Sequence, residues 1–266
     1  MLVALVFTTG VNHAAADDEL SLGNGFESLV TSPQAWRISM TTTVNLSSGQ
    51  VLQPITVGPD ATFGVAKRVE LTLAHSSKRQ TGFASGGVAG GLCLRVEARG
   101  CPDIYDRPAV LGRVAILDGP LELAAGAGVV FVELAGPFSM SGKLGLIARA
   151  AGGRLAAWTN PNIHIGLTAR DGAGESQNRE RLNVPVWFGV AVSELVNFGL
   201  EAGVRGALDD FANVFEVPVH LSANAALSDT LGVGLSAGFE TVVKHGDSTS
   251  LSGSERSLTI VFRSRI

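Results

Sequence analysis

Alternation of apolar and polar residues at every second position is the dominant pattern of the chain. In residues 231–240 the odd-numbered positions are Leu231, Val233, Leu235, Ala237 and Phe239, and the even-numbered positions are glycine, serine or glutamate. Residues 182–192 and 215–226 repeat the pattern. Because successive side chains of a strand point to opposite faces, each segment predicts a β-strand with one apolar face and one small or polar face.

The connections between these segments alternate in length. Short turns are expected near residues 66–68, 118–120, 151–153, 194–196 and 228–230. The other connections are longer or more polar, at 46–50, 76–107, 170–181, 207–213 and 245–256, with a brief exception at 136–138. Between them we place twelve strands near 35–44, 51–65, 69–76, 108–117, 121–134, 139–150, 154–168, 182–193, 197–206, 214–227, 231–243 and 257–266.

An even number of strands with turns of alternating length predicts an all-β fold, an antiparallel transmembrane β-barrel over residues 34–266. We expect about twelve strands, and ten or fourteen would also fit. A lipid-embedded sheet must close on itself, because an unpaired strand edge in hydrocarbon costs several kcal/mol per exposed polar group. The alternative is a soluble β-sandwich, whose outward face would be charged.

Charged residues collect on the face that a barrel would turn inward, while the outward positions carry almost no charge over their central part. The residues that we expect to line the lumen are Arg113, Arg149, Arg154, His164, Glu201, Arg205, Glu216, His220 and Glu240. They could form an electrostatic wall that selects solutes. They could equally be a space-filling network of ion pairs, such as Glu201 with Arg205 on the same strand face.

Composition narrows the class of protein further. Apolar residues make up 45% of the chain and charged residues 17%, against the roughly 25% charge of an ordinary soluble domain. This apolar content excludes a disordered chain. The net charge of −4 argues against a nucleic-acid partner. The best candidate for a membrane helix, residues 121–135, is too short and contains two glutamates, so a helical membrane protein is excluded.

The N-terminus has the apolar stretch and Ala14-Ala15-Ala16 site of a secretory signal peptide, without the basic start. We therefore divide the chain into a signal peptide at 1–16, an N-terminal extension at 17–33 and the barrel at 34–266. The alternative for residues 1–16 is an ordinary first strand.

Two cysteines, Cys93 and Cys101, lie in the longest connection and would form a disulfide after export. This connection could be an exposed flexible loop, or it could fold inward as a constriction or plug. No metal site, cofactor or catalytic signature is predicted. Outside the predicted signal peptide, His75 is the one histidine that strand alternation places on the outward face. A lipid-facing hydrolase would need a serine–histidine pair there, and one histidine without a catalytic motif does not indicate such an enzyme.

The alternating strands, the turn at 116–121 and the closing strand at 257–266 resemble those of Gram-negative outer-membrane barrels of the porin-like type. Such barrels usually end on an aromatic residue, whereas this chain ends on Ile266. The resemblance implies export through the periplasm to the outer membrane, with periplasmic chaperones, the barrel-assembly machinery and membrane lipid as partners. It implies a channel or transporter for small solutes. A structural or adhesive surface barrel is the alternative, and a lipid hydrolase is less favoured.

Overall fold

A computed structural model describes residues 28–47, 51–52, 54–83, 91–94, 105–133, 138–170, 178–245, 250–251 and 255–266. Its elements, in chain order, are β1 (Trp36–Asn45), β2 (Ile55–Ala66), β3 (Val69–Ala74), α1 (Ser77–Thr81), β4 (Gly91–Cys93), β5 (Tyr105–Asp106), β6 (Ala109–Leu117), β7 (Leu121–Glu133), β8 (Ser139–Gly152), β9 (Leu155–Thr159), β10 (Asn162–Gly166), β11 (Arg181–Ala191), β12 (Val196–Ala207), β13 (Phe215–Ala226), β14 (Leu231–His245), β15 (Ser250–Leu251) and β16 (Arg256–Arg265). No helix among the described residues is long and apolar enough to cross a membrane.

The strands form one closed antiparallel barrel in which each wall strand pairs with its neighbours along the chain. Closure comes from β1, which pairs with β16 on one side and with β2 on the other. Because β9 and β10 lie end to end between β8 and β11, they count as one interrupted wall strand. The barrel thus has twelve wall strands within the described residues, which confirms the predicted fold and strand number. The short strands β4, β5 and β15 extend the edges of β2 and β14.

Two prolines fall where the wall interrupts its regular pairing. The β9–β10 break contains Asn160 and Pro161. In β13 the register against β14 shifts between Val217 and Val219, at Pro218. A proline has no backbone N–H to donate across a sheet, so it is tolerated where the ladder is already irregular.

The two faces of the wall have opposite chemistry, and the apolar face is the exposed one. Large apolar side chains remain exposed on the outside, with Phe188 at 59% and Leu221 at 66%. The buried positions are largely polar or charged, and Asn197 and Glu201 are almost inaccessible. A soluble protein has the reverse arrangement and rarely exposes such a continuous apolar surface. A sandwich is therefore excluded, and the outer face suits contact with lipid.

Aromatic side chains mark the outward rim at the short-turn end. Trp36 and Phe63 are cross-strand neighbours on β1 and β2, with ring centroids 4.8 Å apart. Phe198 and Phe262 are about half exposed on β12 and β16. Such rings favour the boundary between hydrocarbon and water, so they indicate where the membrane surface meets this end of the barrel.

Candidate functional site: a divided barrel lumen

A segment of the chain enters the barrel directly after β3. Residues 76–83, which we call the constriction segment, include α1. The Asp60 carboxylate on β2 accepts the His75 backbone N–H at 2.7 Å, the Ser76 N–H at 2.9 Å and the Ser76 hydroxyl at 2.5 Å. Gly58 allows this close approach, since a Cβ there would lie 3.1 Å from the Ser76 backbone. Asp60 therefore turns the chain away from the wall and into the lumen.

The sequence of the constriction segment explains its short helix. The Ser76 side chain caps the start of α1 by accepting the Arg79 backbone N–H at 3.3 Å. Gly82 ends the helix in the left-handed conformation, with φ of 91°, and its N–H bonds to the Lys78 carbonyl. A serine cap followed by glycine six residues later is a sequence signal of a one-turn helix, which the strand-based interpretation overlooked.

The far side of the constriction segment is bonded to the opposite wall. Lys78 Nζ lies 3.2 Å from Glu201 Oε2 on β12. On the helix backbone, the Arg79 carbonyl accepts from Lys143 Nζ at 3.1 Å and the Thr81 carbonyl accepts from Asn162 at 2.8 Å. His164 Nε2 lies 3.2 Å from the Gln80 carbonyl. The segment thus bridges the lumen from β2 to β8, β10 and β12. Residues 76–83 of the long connection therefore fold inward as a constriction, one of the two conformations left open by the sequence, whereas β4 and β5 of the same connection extend the edge of β2.

A buried network of charged residues fills the lumen beside β12, β13 and β14. Glu240 Oε1 accepts from the Ser257 hydroxyl at 2.5 Å and lies 3.2 Å from His220 Nε2. On its other side, His220 Nδ1 lies 3.9 Å from Glu201 Oε1. Arg205 Nε lies 3.0 Å from Glu216, and its Nη1 lies 3.7 Å from Glu240. Five of the nine predicted lumen residues therefore meet in one network.

The Glu201–Arg205 pair proposed from sequence is replaced by cross-strand pairs. Glu201 is opposite His220 in the register, and Arg205 is opposite Glu216. Residues four apart on one strand are separated by about 13 Å along it, whereas cross-strand neighbours are about 5 Å apart. Short ion pairs therefore form between strands.

The other predicted lumen residues lie elsewhere on the wall. Arg113 Nη1 lies 3.1 Å from Glu70 Oε1, and Arg149 is bonded to Glu122. His164 lies under the constriction segment. Arg154 differs from the expectation, because β9 begins only at Leu155 and leaves Arg154 exposed in the turn after β8.

Interior glycines make room for large side chains. Trp187 is fully buried, and its indole N–H donates to the Ser222 hydroxyl at 3.1 Å. A Cβ at Gly189 or Gly199 would collide with the Trp187 ring. These two inward glycines accordingly accommodate an indole, a role that alternation by itself did not reveal.

The short-turn end of the lumen holds residues 28–34, which we call the N-terminal segment. The Leu29 N–H donates to Glu122 at 2.9 Å, and the Leu29 carbonyl accepts from Arg113 at 2.6 Å. The Thr31 N–H donates to Glu70 at 2.8 Å. Residues 1–27, with the predicted signal peptide, lie outside the described residues.

A cavity of about 120 Å³ lies between the N-terminal segment and the constriction segment. We call it the lumen chamber. Its lining includes Arg37, Lys78, Arg79, Arg113, Trp158 and Arg263. Lys78 and Arg79 were missed as site residues because the alternation pattern assigns only strand residues to the lumen. The chamber has the size to hold several water molecules or one small solute.

Two features considered from sequence lie away from the chamber. His75 is buried rather than lipid-facing, its Nδ1 contacts the Pro59 carbonyl, and its ring is near Tyr105. This position gives no support to a hydrolase. Cys93 is buried in β4, while Cys101 lies outside the described residues. Their disulfide stays a prediction.

Comparison with known proteins gives structural matches only. No family model matches the chain, and no curated protein matches it. Among solved structures, the NanC porin aligns over 85% of this chain and 98% of its own, with a TM-score of 0.56 and 8% identity.

Two looser matches are Salmonella typhi OmpF in complex with daunomycin and an anion-selective porin from Comamonas acidovorans. OmpF has 6% identity and a TM-score of 0.46 over 87% of this chain and 96% of its own. The Comamonas porin has 11% identity and a TM-score of 0.42 over 87% and 98%. Both scores are too low to carry an argument, so the assignment rests on the barrel itself and on NanC. Over its described residues, the chain is a closed twelve-stranded antiparallel barrel with the fold of an outer-membrane porin.

Proposed function

We propose that this chain is a porin-like channel or transporter for small solutes in the outer membrane of a Gram-negative cell. The observation that carries the proposal is the inversion of the barrel, apolar outside and polar inside, around a chamber with charged walls. An apolar outer surface is stable only in lipid, and a polar interior provides a water-compatible path. Export would involve periplasmic chaperones and the barrel-assembly machinery.

The constriction segment supports a selective rather than a wide pore. It crosses the lumen between Asp60 and Glu201, and the N-terminal segment lies below it. The chamber between them accommodates only a few water molecules at a time. Ions and very small solutes could use the existing space, whereas larger solutes would need one of the two segments to move.

The test is planar-bilayer conductance of the refolded chain from Asp17 onward, after heat-modifiable gel migration shows a folded barrel. We expect discrete current steps that grow with salt concentration. The matched controls are the same preparation after boiling and an Arg154→Gln variant, whose exposed side chain lies outside the lumen and should leave the steps unchanged. A folded barrel that inserts and gives no steps would contradict the proposal.

A further inference from the structure

The N-terminal segment is held inside the barrel by groups on several wall strands. Its bonding partners lie on β2, β3, β6, β7 and β16. Most of these bonds end on the backbone of the segment, at the N–H and C=O of Leu29, the N–H of Thr31 and the N–H of Gln34. Side-chain hydroxyls take part at Thr31 and Ser32. The wall therefore contacts the segment mainly through its backbone.

Glu70 on β3 divides its two carboxylate oxygens between the wall and the N-terminal segment. Oε1 lies 3.1 Å from Arg113 Nη1, whereas Oε2 accepts from Thr31, at 2.8 Å from the backbone nitrogen and 2.9 Å from the hydroxyl. Glu70 and Arg113 are opposite each other in the register of β3 and β6. The cross-strand ion pair thus holds the carboxylate in place and leaves one oxygen directed at the segment.

Glu122 on β7 repeats this arrangement. Its Oε1 is bonded to Arg149, the residue opposite it in the register, and its Oε2 accepts the Leu29 N–H at 2.9 Å. Arg113 completes the contact, because its Nη1 donates to the Leu29 carbonyl at 2.6 Å. Two carboxylates that arginines hold in place and one guanidinium group therefore bind the backbone of one short peptide. We call Glu70, Arg113 and Glu122 the backbone clamp.

A glycine on the wall provides the space for the segment. The Gly64 carbonyl on β2 accepts the Gln34 N–H at 2.8 Å. A Cβ at Gly64 would lie 1.9 Å from the Ser32 carbonyl oxygen and 2.8 Å from that of Thr31. A glycine within a strand often marks such a close approach of another backbone. Any larger residue at Gly64 is therefore incompatible with the segment in its observed position.

The attachment of the segment is mainly polar, and the segment is joined to the wall at one end. In the described part of the chain it continues into the wall only at β1, whereas the constriction segment lies between β3 and β4. Val30 is the one apolar residue of the segment with a fully buried side chain. Hydrogen bonds to the wall exchange for bonds to water with a small net change in free energy, unlike the loss of a large apolar contact. The segment can therefore leave without unfolding the barrel.

We propose that the backbone clamp is a binding site for a peptide backbone, and that the N-terminal segment occupies it as a removable plug. With the segment bound, Ser28 and Leu29 form part of the chamber lining. Release of the segment opens the chamber towards the short-turn end of the barrel. The effect on current rests on the proposed function, but release of the segment can be measured separately.

The experiment is limited proteolysis of the refolded chain from Asp17 onward with thermolysin, which cuts before large apolar residues. The peptide bonds before Leu29 and Val30 are protected while the segment is bound. Gly64→Ala introduces the colliding Cβ and should accelerate cutting at these bonds at least about tenfold, since the loss of one bond to a charged group is enough for this factor. The matched control is Gly152→Ala at the same end of the barrel, where a Cβ meets no atom within 4 Å. Neither glycine has a positive φ, so alanine suits both backbones, and the control should be cut slowly.

A second pair of variants tests the clamp without altering the wall. Thr31→Pro removes both the N–H and the hydroxyl that donate to Glu70, whereas Thr31→Val removes the hydroxyl alone. Cutting before Leu29 should accelerate at least about tenfold in Thr31→Pro and less in Thr31→Val. This pair serves if Gly64→Ala fails to show heat-modifiable migration. Slow cutting in either folded Gly64→Ala or folded Thr31→Pro, or equally fast cutting in Gly152→Ala, would overturn the plug.

A free peptide in the bilayer assay separates the two proposals. Folded Thr31→Pro should show larger or more frequent current steps than the unchanged protein, and a synthetic peptide of residues 28–34 should reduce them, because the clamp is intact. The same peptide carrying Thr31→Pro should have at least about tenfold less effect. A conducting Thr31→Pro barrel that the peptide does not block would overturn the clamp as a peptide site and leave the channel intact. Faster thermolysin cutting in a barrel without current steps would instead support the plug and contradict the channel.

Discussion

Asp60 is the anchor on which the constriction segment depends, and Asp60→Ala tests this directly. The carboxylate is almost fully buried and accepts three short bonds from His75 and Ser76. Hydrogen bonds to a charged group contribute about 1.5–3 kcal/mol each, which sets an upper limit of about 4.5–9 kcal/mol for the three. Water entering the lumen would satisfy some of the released donors. We therefore expect a net loss of about 2–4 kcal/mol in the free energy that holds the segment in place.

Trypsin provides an assay that does not require a conducting pore. Lys78 and Arg79 lie inside the lumen and are protected from the protease while the constriction segment stays bound. A loss of about 3 kcal/mol would raise the population of the released segment roughly a hundredfold, and cleavage would accelerate in proportion when opening is fast. Mass spectrometry of the fragments identifies cuts after these two residues and separates them from cuts in the outer connections.

The control is Asp118→Ala, in which an exposed carboxylate paired with Arg68 is removed. A surface pair of this kind contributes about 0–1 kcal/mol, so cleavage after Lys78 and Arg79 should stay slow. If folded Asp60→Ala is cleaved there no faster than Asp118→Ala, Asp60 is not the anchor. In the bilayer assay, Asp60→Ala should also show larger or more frequent current steps.

Two further substitutions test the outer face and the buried network. Leu235→Asp places a charge on the exposed face of β14 and should lower the yield of folded barrel in lipid vesicles, measured by gel migration. Leu195→Asp, in a turn, is the control and should fold with normal yield. An equally normal yield for Leu235→Asp would refute a lipid-facing wall. Glu240→Ala removes one of the two carboxylates that contact each of His220 and Arg205, in a buried network, and should lower the free energy of unfolding in urea by about 3–5 kcal/mol. Glu180→Ala, which removes the partly exposed partner of the exposed Arg170, should cost under about 1 kcal/mol, and equal losses would contradict a special role for the network.

The strands were predictable because their pattern is local. The predicted strands 121–134 and 139–150 correspond closely to β7, Leu121–Glu133, and β8, Ser139–Gly152. Side chains alternate with period two in any strand, so one continuous apolar face can be recognised without knowing the partner strands. The same pattern also predicted that the sheet closes into a barrel, because a sheet exposed to lipid cannot keep strand edges with unpaired backbone groups.

The partners of the inward charges were not predictable in the same way. The alternation pattern along each strand placed Glu201 and His220 on the inner face, but it could not show that the register between β12 and β13 makes them neighbours. A single residue of register shift would change every cross-strand pair while leaving the pattern on each strand unaltered. Between Val217 and Val219 the register of β13 against β14 also shifts locally.

The constriction segment shows the limit of alternation most clearly. Lys78 belongs to a connection, where the strand pattern stops, and it pairs with Glu201, 123 residues later. A local cap and a glycine indicate the short helix, yet they do not say whether it points outward to water or inward to the lumen. Asp60 decides this, since its carboxylate is available only on the inner face of β2.

The sequence by itself determined the all-β class, a number of strands near twelve and the inverted polarity of the wall, because these depend on spacing along one strand. The tertiary structure alone decided which charges pair, that Trp187 occupies the space above Gly189 and Gly199, and that two segments divide the lumen into a basic chamber. These contacts join residues far apart in the chain, and they exist only once β1 pairs with β16 and the barrel closes.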